Sequence, residues 1–333
     1  MLLRKTSYSL LVFLVFTASS EAKTYKYIRI GQKTDSETKA SPGTAMMGGG
    51  SDLDEAFRFL CTKANGGDFL VLRARGSGEY NSYVNQLCKL NSVATLVIPD
   101  RKAALDPEVA GIIRHAEAIF IAGGDQSRYT NNWKNSPVQD AINANITDGK
   151  PIGGTSAGLA VLGEFIYTAM NDPADGPDLV SSLVLPNPYH YRVALTRDFL
   201  HVPHLENLIT DSHFAKRDRL GRSLVFLARI VQDGWSKNPR EVAIDEKSAI
   251  LVEADGKATV VGSGRGAYFL AVTEAPLTCK PDTPLTLRGI SAYHGPTGSH
   301  FDLTTWTGDG GEAYTLAVED GVVKSANHND SLY

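Results

Sequence analysis

The sequence predicts an α/β protein whose core is a parallel sheet covered by helices on both faces. Between about residues 25 and 230, short and nearly continuous apolar segments alternate with segments of helical periodicity. Strands of this kind are typical of parallel sheets, because both faces of such a strand are buried. Glycine-rich turns follow three of the apolar segments, and loops at the carboxyl ends of parallel strands line the crevice where ligands bind. We therefore expect one functional site at that edge of the sheet.

The individual elements follow from the apolar runs and from the turn residues between them. We expect strands at residues 27–30, 68–74, 94–98, 118–122 and just before 156, and helices at residues 54–63, 83–90 and 138–147. After about Gln232, short β segments parted by Asp-Gly and Gly-Ser-Gly turns replace this alternation. The expected organisation is an α/β domain over residues 23–232 and a β-rich region over residues 233–333, which either completes that domain or is appended to it.

Residues 1–22 have the pattern of a secretory signal peptide. Arg4 and Lys5 precede an apolar run over residues 10–16, and small and polar residues follow up to Ala22. The apolar run is short for a membrane span. We expect cleavage after Ala22, export of the protein and no stable membrane insertion afterwards, with an uncleaved anchor as the alternative.

The composition is that of an ordinary globular protein. The 333 residues carry a net charge of -4, whereas nucleic-acid binding needs a strongly basic balance, so we expect no nucleic-acid partner. Of the three cysteines, Cys61, Cys88 and Cys279, at least one has no partner within the chain; a Cys61–Cys88 bridge is one option that the spacing does not decide. No cysteine and histidine cluster of metal-binding type occurs, so we expect no metal and no other cofactor. A homodimer is compatible with the sequence.

Residues 154–158, Gly-Thr-Ser-Ala-Gly, match the G-x-S-x-G nucleophile elbow. In such an elbow a serine stands on a sharp turn between a strand and a helix, which we expect to start near Ala157. Ser156 would be the nucleophile, and the amide of Ala157 would face the oxyanion together with an amide from Gly49 or Gly50. The alternative is a glycine-rich turn with an idle serine.

A second dense segment spans residues 211–222. His213 is the candidate general base for Ser156, since an imidazole can take the hydroxyl proton and return it to the leaving amine. Three arginines could hold substrate carboxylates by forked hydrogen bonds: Arg217, Arg219 and Arg222. The alternative is a solvated, charged helix.

Together these segments resemble the cyanophycinase-like family of serine peptidases, which includes the aspartyl dipeptidases. The resemblance covers about residues 48–230 and rests on Gly-Gly-Asp-Gln at 123–126, on the elbow, and on Asp-x-His-Phe at 211–214 with the arginines after it. It implies a flavodoxin-like, glutamine-amidotransferase-type three-layer sandwich and a metal-free peptidase that cleaves β-linked aspartyl-arginine polymer to dipeptides.

The resemblance also implies roles for individual residues. Ser156 matches the nucleophile and His213 the base. Five residues match positions that contact substrate: Gln126, Asp211, Arg217, Arg219 and Arg222. Ser212 departs from the family pattern, which has glutamine there, and this departure concerns the specificity for cyanophycin.

The acidic residue that orients the histidine is expected in the segment after the elbow helix. Asp172 and Asp175 both qualify there, and Glu164 is a third choice. A buried carboxylate would hold the His213 tautomer and stabilise the imidazolium.

We therefore expect a secreted serine exopeptidase that hydrolyses β-aspartyl-arginine polymer (cyanophycin) or related acidic peptides through an acyl-enzyme on Ser156. An aspartyl dipeptidase of the same family is one alternative. An α/β-hydrolase esterase shares the elbow, although arginines suit an ester pocket poorly because such pockets have apolar walls. A non-catalytic binding protein on the same scaffold is the third alternative.

Overall fold

The computed structural model of the protein describes residues 23–36, 38–170, 176, 178–326 and 331–333. Within them the chain forms two large mixed sheets that pack against each other and against helices. The expected signal peptide lies outside the described residues, and so do Asp172 and Asp175.

The larger sheet contains the parallel core that the sequence predicts. Its described strands are, in order across the sheet, β1 (Lys26–Gly31), β4 (Ser92–Val97), β3 (Asp68–Arg73), β5 (Ala118–Ile121), β6 (Ile152–Thr155), β2 (Thr44–Met47), β11 (Ser248–Val252), β12 (Lys257–Gly262), β16 (His300–Asp302) and β17 (Thr307–Asp309). The strands from β4 to β2 are parallel to one another, whereas β1 and the strands beyond β2 are antiparallel to their neighbours. The core strands are almost entirely buried, as their apolar runs predict.

Helices cover both faces of this sheet. The described helices beside it are α1 (Asp54–Ala64), α2 (Glu79–Leu87), α3 (Arg101–Ala104), α4 (Pro107–Arg114), α5 (Gln126–Asn132) and α6 (Pro137–Thr147). On one face α1 and α2 bury Phe57 against Phe69 and Phe120. On the other face α4 and α6 close a second core that also reaches the smaller sheet. The result is an α/β sandwich around a parallel core.

The smaller sheet contains most of the C-terminal strands. Its described strands run in the order β19 (Val322–Ser325), β18 (Glu312–Glu319), β15 (Thr283–Gly295), β13 (Ala267–Val272), β10 (Arg240–Ile244), β9 (Leu208–Asp211), β7 (Phe165–Tyr167) and β8 (Leu195–Arg197), and β14 (Thr278–Lys280) pairs with β15. The helices α7 (Ser181–Val184) and α8 (Leu220–Gln232) belong to the third core, which this sheet forms on its far side.

The strands after residue 232 enter both sheets. In the larger sheet β11 pairs with β2, and in the smaller sheet β10 pairs with β9, and this pair is parallel. Because β9 and β10 run in the same direction, their carboxyl ends lie side by side. This pairing positions two side chains of the candidate site.

The segment after Ser156 differs from the predicted elbow helix. A turn leads into a single 3₁₀ turn at Leu159–Val161, and the chain then crosses to the smaller sheet, where β7 begins at Phe165. The physical reason is the short crossing between sheets, which leaves no length for a helix. The predicted helix from Ala157 is therefore wrong, and a long helix dipole is not available to Ser156.

The disulfide Cys61–Cys88 joins α1 to the end of α2, and Cys279 is buried with a free thiol. Residues 145–147, Asn-Ile-Thr, match the N-glycosylation triplet, but Asn145 is 1% exposed and donates a 2.6 Å hydrogen bond to the carbonyl of Ile113, so it is not an accessible site. In the part of the chain that the structure describes, every helix is too short or too polar to cross a membrane.

Candidate active site

Ser156 is the first residue after β6 and lies on a strained turn. Its φ is +52°, a left-handed conformation that non-glycine residues adopt mostly where the surroundings force it. Its amide donates to the carbonyl of Met47 at 3.1 Å. Gly154 and Gly158 make the turn possible, since a Cβ at Gly154 would lie 2.5 Å from backbone atoms of Gly158. The small residues around Ser156 are thus required by the close approach of the chain.

His213 lies opposite Ser156, two residues after the end of β9. Its Nε2 is 2.8 Å from Ser156 Oγ, which is hydrogen-bonding distance. The His213 amide donates to the carbonyl of Gly48 at 2.8 Å, which fixes the backbone at a φ of +49°. A Cβ at Gly49 would lie 2.4 Å from His213 Cε1, so glycine there makes room for the ring. The structure brings the two predicted residues together.

Glu246 completes a chain of hydrogen bonds. Its Oε1 lies 2.7 Å from His213 Nδ1, and its backbone is in the turn between β10 and β11. Such a carboxylate accepts the Nδ1 proton and leaves Nε2 free to accept the hydroxyl proton of Ser156. The order of contacts is therefore carboxylate, imidazole, hydroxyl.

Sequence reasoning missed Glu246 and favoured other acids. Asp172 and Asp175 lie outside the described residues, and the contact with His213 Nδ1 is made by Glu246 instead. Glu164 is wrong for this role, because its carboxylate accepts the amide of Asn207 at 2.5 Å.

Glu246 and His213 occupy equivalent positions after two neighbouring strands. His213 stands two residues after the end of β9, and Glu246 stands two residues after the end of β10. Chemistry-bearing residues at the carboxyl ends of parallel strands converge on one edge. Recognising this equivalence required knowing that β10 is parallel to β9, since the sequence showed only a polar turn.

The electrostatics favour a neutral imidazole and an ionised carboxylate. Burial lowers the pKa of His213 below its ordinary value of 6.5, and the charges of Arg217 and Arg219 lower it further, against the opposing effect of Glu246. Burial works to raise the pKa of Glu246, but the His213 hydrogen bond and the charge of Arg217 hold it below its ordinary value. At neutral pH His213 is therefore in the form that can accept a proton.

A cleft of about 270 Å³ opens beside Ser156, and arginines form much of its wall. Arg217 is partly exposed and lies 3.3 Å from Asp178 and 3.7 Å from Glu246. Arg219 is buried, with Nη2 at 2.6 Å from Asp178. Burial and the charge of Arg222 lower the pKa of Arg219 to about 10, so it remains a cation at neutral pH. The cleft presents guanidinium groups within reach of the hydroxyl.

Asp211 and Arg222 form a buried ion pair at the floor of this cleft. Arg222 Nε donates to Asp211 Oδ2 at 2.7 Å, and Nη2 donates to Oδ1. Burial works to raise the pKa of Asp211, but the charges of Arg222 and Arg219 hold it below its ordinary value. Arg222 lines the cleft and Asp211 does not. The structure thus makes this carboxylate the counterion of the arginines, and its contact with substrate stays a prediction.

Gln126 and the turn of Gly123 and Gly124 border the cleft on the side of β5. Gln126 Nε2 lies 3.4 Å from the carbonyl of Tyr167, and Gly124 lines the cleft. A Cβ at Gly123 would lie 3.5 Å from Ser156 Cβ. The turn of Gly123 and Gly124 is therefore next to the nucleophile.

The turn of Gly48, Gly49 and Gly50, which follows β2, lies against His213 and Glu246. Gly49 packs on the ring of His213, and a Cβ at Gly50 would lie 3.2 Å from Glu246 Cβ. Neither lines the cleft, whereas Gly124 does. These two glycines make room for His213 and Glu246, and their part in an oxyanion hole with Ala157 stays a prediction.

Among the described residues, no group of three or more histidine, cysteine, aspartate or glutamate side chains is arranged to hold a metal ion. The groups that converge are instead a hydroxyl, an imidazole, a carboxylate and several guanidinium groups. This arrangement suits the hydrolase class, because a hydroxyl can act as a nucleophile and an imidazole as a base.

Comparison with known proteins agrees with that class. The family model of peptidase family S51 matches residues 52–259, which include Ser156, His213 and Glu246. The chain belongs to peptidase family S51.

Curated relatives include cyanophycinases. The cyanophycinase of Synechococcus elongatus is 30% identical over 183 residues, which cover 53% of this chain and 48% of that protein. The cyanophycinase of Trichormus variabilis is 25% identical over 221 residues, which cover 63% of this chain and 65% of that protein. The chain thus matches about half to two thirds of the length of these relatives.

Two solved structures are also similar. A peptidase from an acI-B1 Actinobacterium aligns with a TM-score of 0.47 and 20% identity, covering 68% of this chain and 89% of the other. A putative peptidase E protein from Listeria monocytogenes aligns with a TM-score of 0.43 and 15% identity, covering 68% of this chain and 100% of the other.

Proposed function

We propose that the protein is a serine-type exopeptidase that hydrolyses β-aspartyl or other acidic peptides through an acyl-enzyme on Ser156. The observation that carries this proposal is the chain of hydrogen bonds from Glu246 through His213 to Ser156 at the mouth of an arginine-lined cleft. Membership of peptidase family S51 supports the same reaction class.

In the proposed mechanism, Ser156 Oγ attacks the scissile carbonyl while its proton passes to His213 Nε2. Glu246 holds the Nδ1 proton and stabilises the imidazolium that forms. The amide of Ala157 faces the developing oxyanion, together with an amide from one of the neighbouring glycine turns. The imidazolium then protonates the leaving amine, the acyl-enzyme remains, and a water that gives its proton to His213 releases the acid product and regenerates the hydroxyl.

The arginines in the cleft are evidence that the substrate is acidic. Arg217 and Arg219 already contact the carboxylate of Asp178 through one nitrogen each, and a guanidinium group can bind a substrate carboxylate by paired hydrogen bonds. The cyanophycinase relatives favour a β-aspartyl-arginine polymer as substrate. Ser212 in place of glutamine favours the alternative, an aspartyl dipeptidase, and the test below separates the two.

The test is digestion of purified cyanophycin, aspartyl dipeptides and a p-nitrophenyl ester, with Ser156→Ala as the control. We expect release of β-Asp-Arg or cleavage of aspartyl dipeptides, with kcat/KM reduced by about a thousandfold or more in Ser156→Ala. A fluorophosphonate probe should label Ser156 in the unmodified protein.

Two results would contradict this function. Cleavage of the ester alone would point to an esterase, and failure of the probe to label Ser156, with no cleavage of any substrate, would point to a binding protein. Activity on dipeptides without activity on cyanophycin would assign the protein to the dipeptidase branch.

We further propose that the protein is exported. The disulfide Cys61–Cys88 supports this, because such bridges persist in oxidising compartments, and so does the pattern of residues 1–22. Expression of the full chain in a secreting host should yield exported protein that begins at Lys23, as read by N-terminal mass spectrometry. Retention of intact protein inside the cells would contradict export.

A further inference from the structure

A second cavity of about 310 Å³ adjoins the active-site cleft on the side of β3 and β5. It is lined by residues that follow both strands, so it lies on the same carboxyl edge of the larger sheet as Ser156. Gly124 and Asp125 line both cavities. The cleft and the second cavity are thus two sides of one glycine turn, which carries no side chain at 123 or 124 to separate them.

Positive charge dominates the second cavity, whose charged lining residues are three arginines and Asp125. Arg128 lies 3.5 Å from Asp125, and Arg73 Nη1 lies 2.5 Å from the exposed Glu79. The exposed Arg75 makes no hydrogen bond or ion pair with any residue that the structure describes. One guanidinium group is therefore available to a ligand, in a chain whose net charge is -4.

The loop after β3 is shaped around a second guanidinium group. Gly76 has a φ of +112°, and a Cβ there would lie 2.3 Å from Arg73 Cζ. Arg73 Nε is buried and has no hydrogen-bond partner among the described residues. A side chain at position 76 would displace this guanidinium, so glycine at that position keeps it in the cavity wall.

We propose that this second cavity, hereafter the Arg75 subsite, binds a carboxylate of an acidic polypeptide that extends beyond the active-site cleft. Arginine binds carboxylates through paired hydrogen bonds, and the bare turn at Gly123 and Gly124 lets an extended chain pass from one cavity to the other. Together the two cavities are lined by six arginines and two aspartates, while Glu79 and Asp211 pair with two of these arginines from outside the lining. The positive charge that remains fits an acidic peptide longer than a dipeptide. The inference deepens the proposed function and rests on it for the position of the scissile bond.

Calorimetric titration of the Ser156→Ala variant tests the subsite without requiring turnover. The probes are tetra-aspartate, tetra-asparagine and an aspartyl dipeptide, each unlabelled and at low ionic strength. We expect tetra-aspartate to bind more tightly than tetra-asparagine. Adding Arg75→Glu should weaken tetra-aspartate binding about tenfold. Loss of an exposed ion pair raises the dissociation constant by up to a few-fold, and the reversed charge adds repulsion. Dipeptide binding should change less than about twofold, because the dipeptide stays within the cleft.

Two further variants sharpen the test. Arg114→Glu makes the same change of charge at the end of α4, near the amino edge of the sheet, and should leave tetra-aspartate binding unchanged. Gly76→Ala should weaken tetra-aspartate binding in the same direction as Arg75→Glu, because it displaces Arg73.

Three results would overturn the subsite: unchanged tetra-aspartate binding in Arg75→Glu, equal weakening of dipeptide and tetrapeptide, or tetra-asparagine binding as tightly as tetra-aspartate. Absence of hydrolysis in the unmodified protein is a different failure. It would contradict the proposed function, whereas the binding results would still decide whether the Arg75 subsite exists.

Discussion

Two carboxylate pairs meet at the carboxyl end of β9, one through Asp211 and the other through His213, and they differ in burial and in the group that the carboxylate contacts. The inner pair joins Asp211 to Arg222 at 2.7 Å, with side chains 4% and 3% exposed. The outer pair joins Glu246 to His213 at 2.7 Å, with the Glu246 side chain 24% exposed. Both contacts are 2.7 Å long. The length of the contact therefore does not explain why the two pairs have different roles in the site.

The difference in burial and in the partner group explains what each pair can do. A buried guanidinium keeps its proton throughout the neutral range, so the inner pair is a fixed ionic contact. The outer pair contains an imidazole, whose charge changes close to neutral pH, and it reaches the cleft. The inner pair therefore supports the arginines, and in the proposed mechanism the outer pair moves a proton.

The largest expected effect is on stability, from Asp211→Asn. The change leaves the Arg222 charge buried without a full counter-charge, and breaking such a pair costs about 3–5 kcal/mol of unfolding free energy. Chemical denaturation measures it. Asp255→Asn breaks an exposed pair with Lys257 and should leave the free energy of unfolding nearly unchanged, because exposed ion pairs contribute little. Equal losses of unfolding free energy in the two variants would contradict the argument that burial makes the Asp211–Arg222 pair important for stability.

Glu246→Gln should act on catalysis with little effect on folding. The imidazolium loses its counter-charge, so we expect kcat to fall about a hundredfold or more. Glu246 raises the pKa of His213, so its removal should move the acidic limb of the pH–rate profile to lower pH. Glu253→Gln, on a surface pair with Lys63, is the control and should keep full activity. Unchanged kcat in Glu246→Gln would exclude this residue as the orienting acid.

Arg217→Gln should shift the same limb in the opposite direction. The charge of Arg217 lowers the pKa of His213, and only the neutral imidazole can accept the Ser156 proton. Without that charge the pKa rises, and activity requires a higher pH. The dependence of kcat/KM on pH measures this shift, and a shift toward lower pH would show that Arg217 acts on His213 through something other than its charge.

The smallest expected effect comes from Asp178→Asn. Burial works to raise the pKa of Asp178, but the hydrogen bond and charge of Arg219 and the charge of Arg217 hold it below its ordinary value. This carboxylate is ionised at neutral pH and competes with a substrate carboxylate for both arginines. KM for an acidic substrate should fall about threefold, within the range of a partly exposed ion pair, with kcat unchanged. A rise in KM would indicate that Asp178 binds a cationic part of the substrate.

Local pattern accounts for what could be predicted. The continuous apolar runs gave the parallel strands, and the small residues around Ser156 indicated a tight turn before any partner was known. His213 could be chosen because it shares a dense segment with three arginines. These features depend on residues near one another in the chain, where periodicity and steric limits act directly.

What local pattern did not predict has long-range causes. The helix predicted after Ser156 is replaced by a 3₁₀ turn because the chain crosses at once to the second sheet. Asp211 was predicted to contact substrate from its charge and its place in the motif. Only the fold shows that it is buried and that its carboxylate is the counterion of Arg222. Burial depends on the whole fold, which a motif does not record.

By itself the sequence determined the α/β class and the tight turn at Ser156, because backbone sterics and the alternation of apolar segments depend on neighbouring residues. Only the tertiary structure decided that Glu246 contacts His213. That contact requires β10 to pair in parallel with β9, and the two strands are separated in the chain by the turn that carries His213 and by the whole of α8. Pairing between distant strands is selected by the packing of both sheets, so no local pattern around residue 246 could specify it.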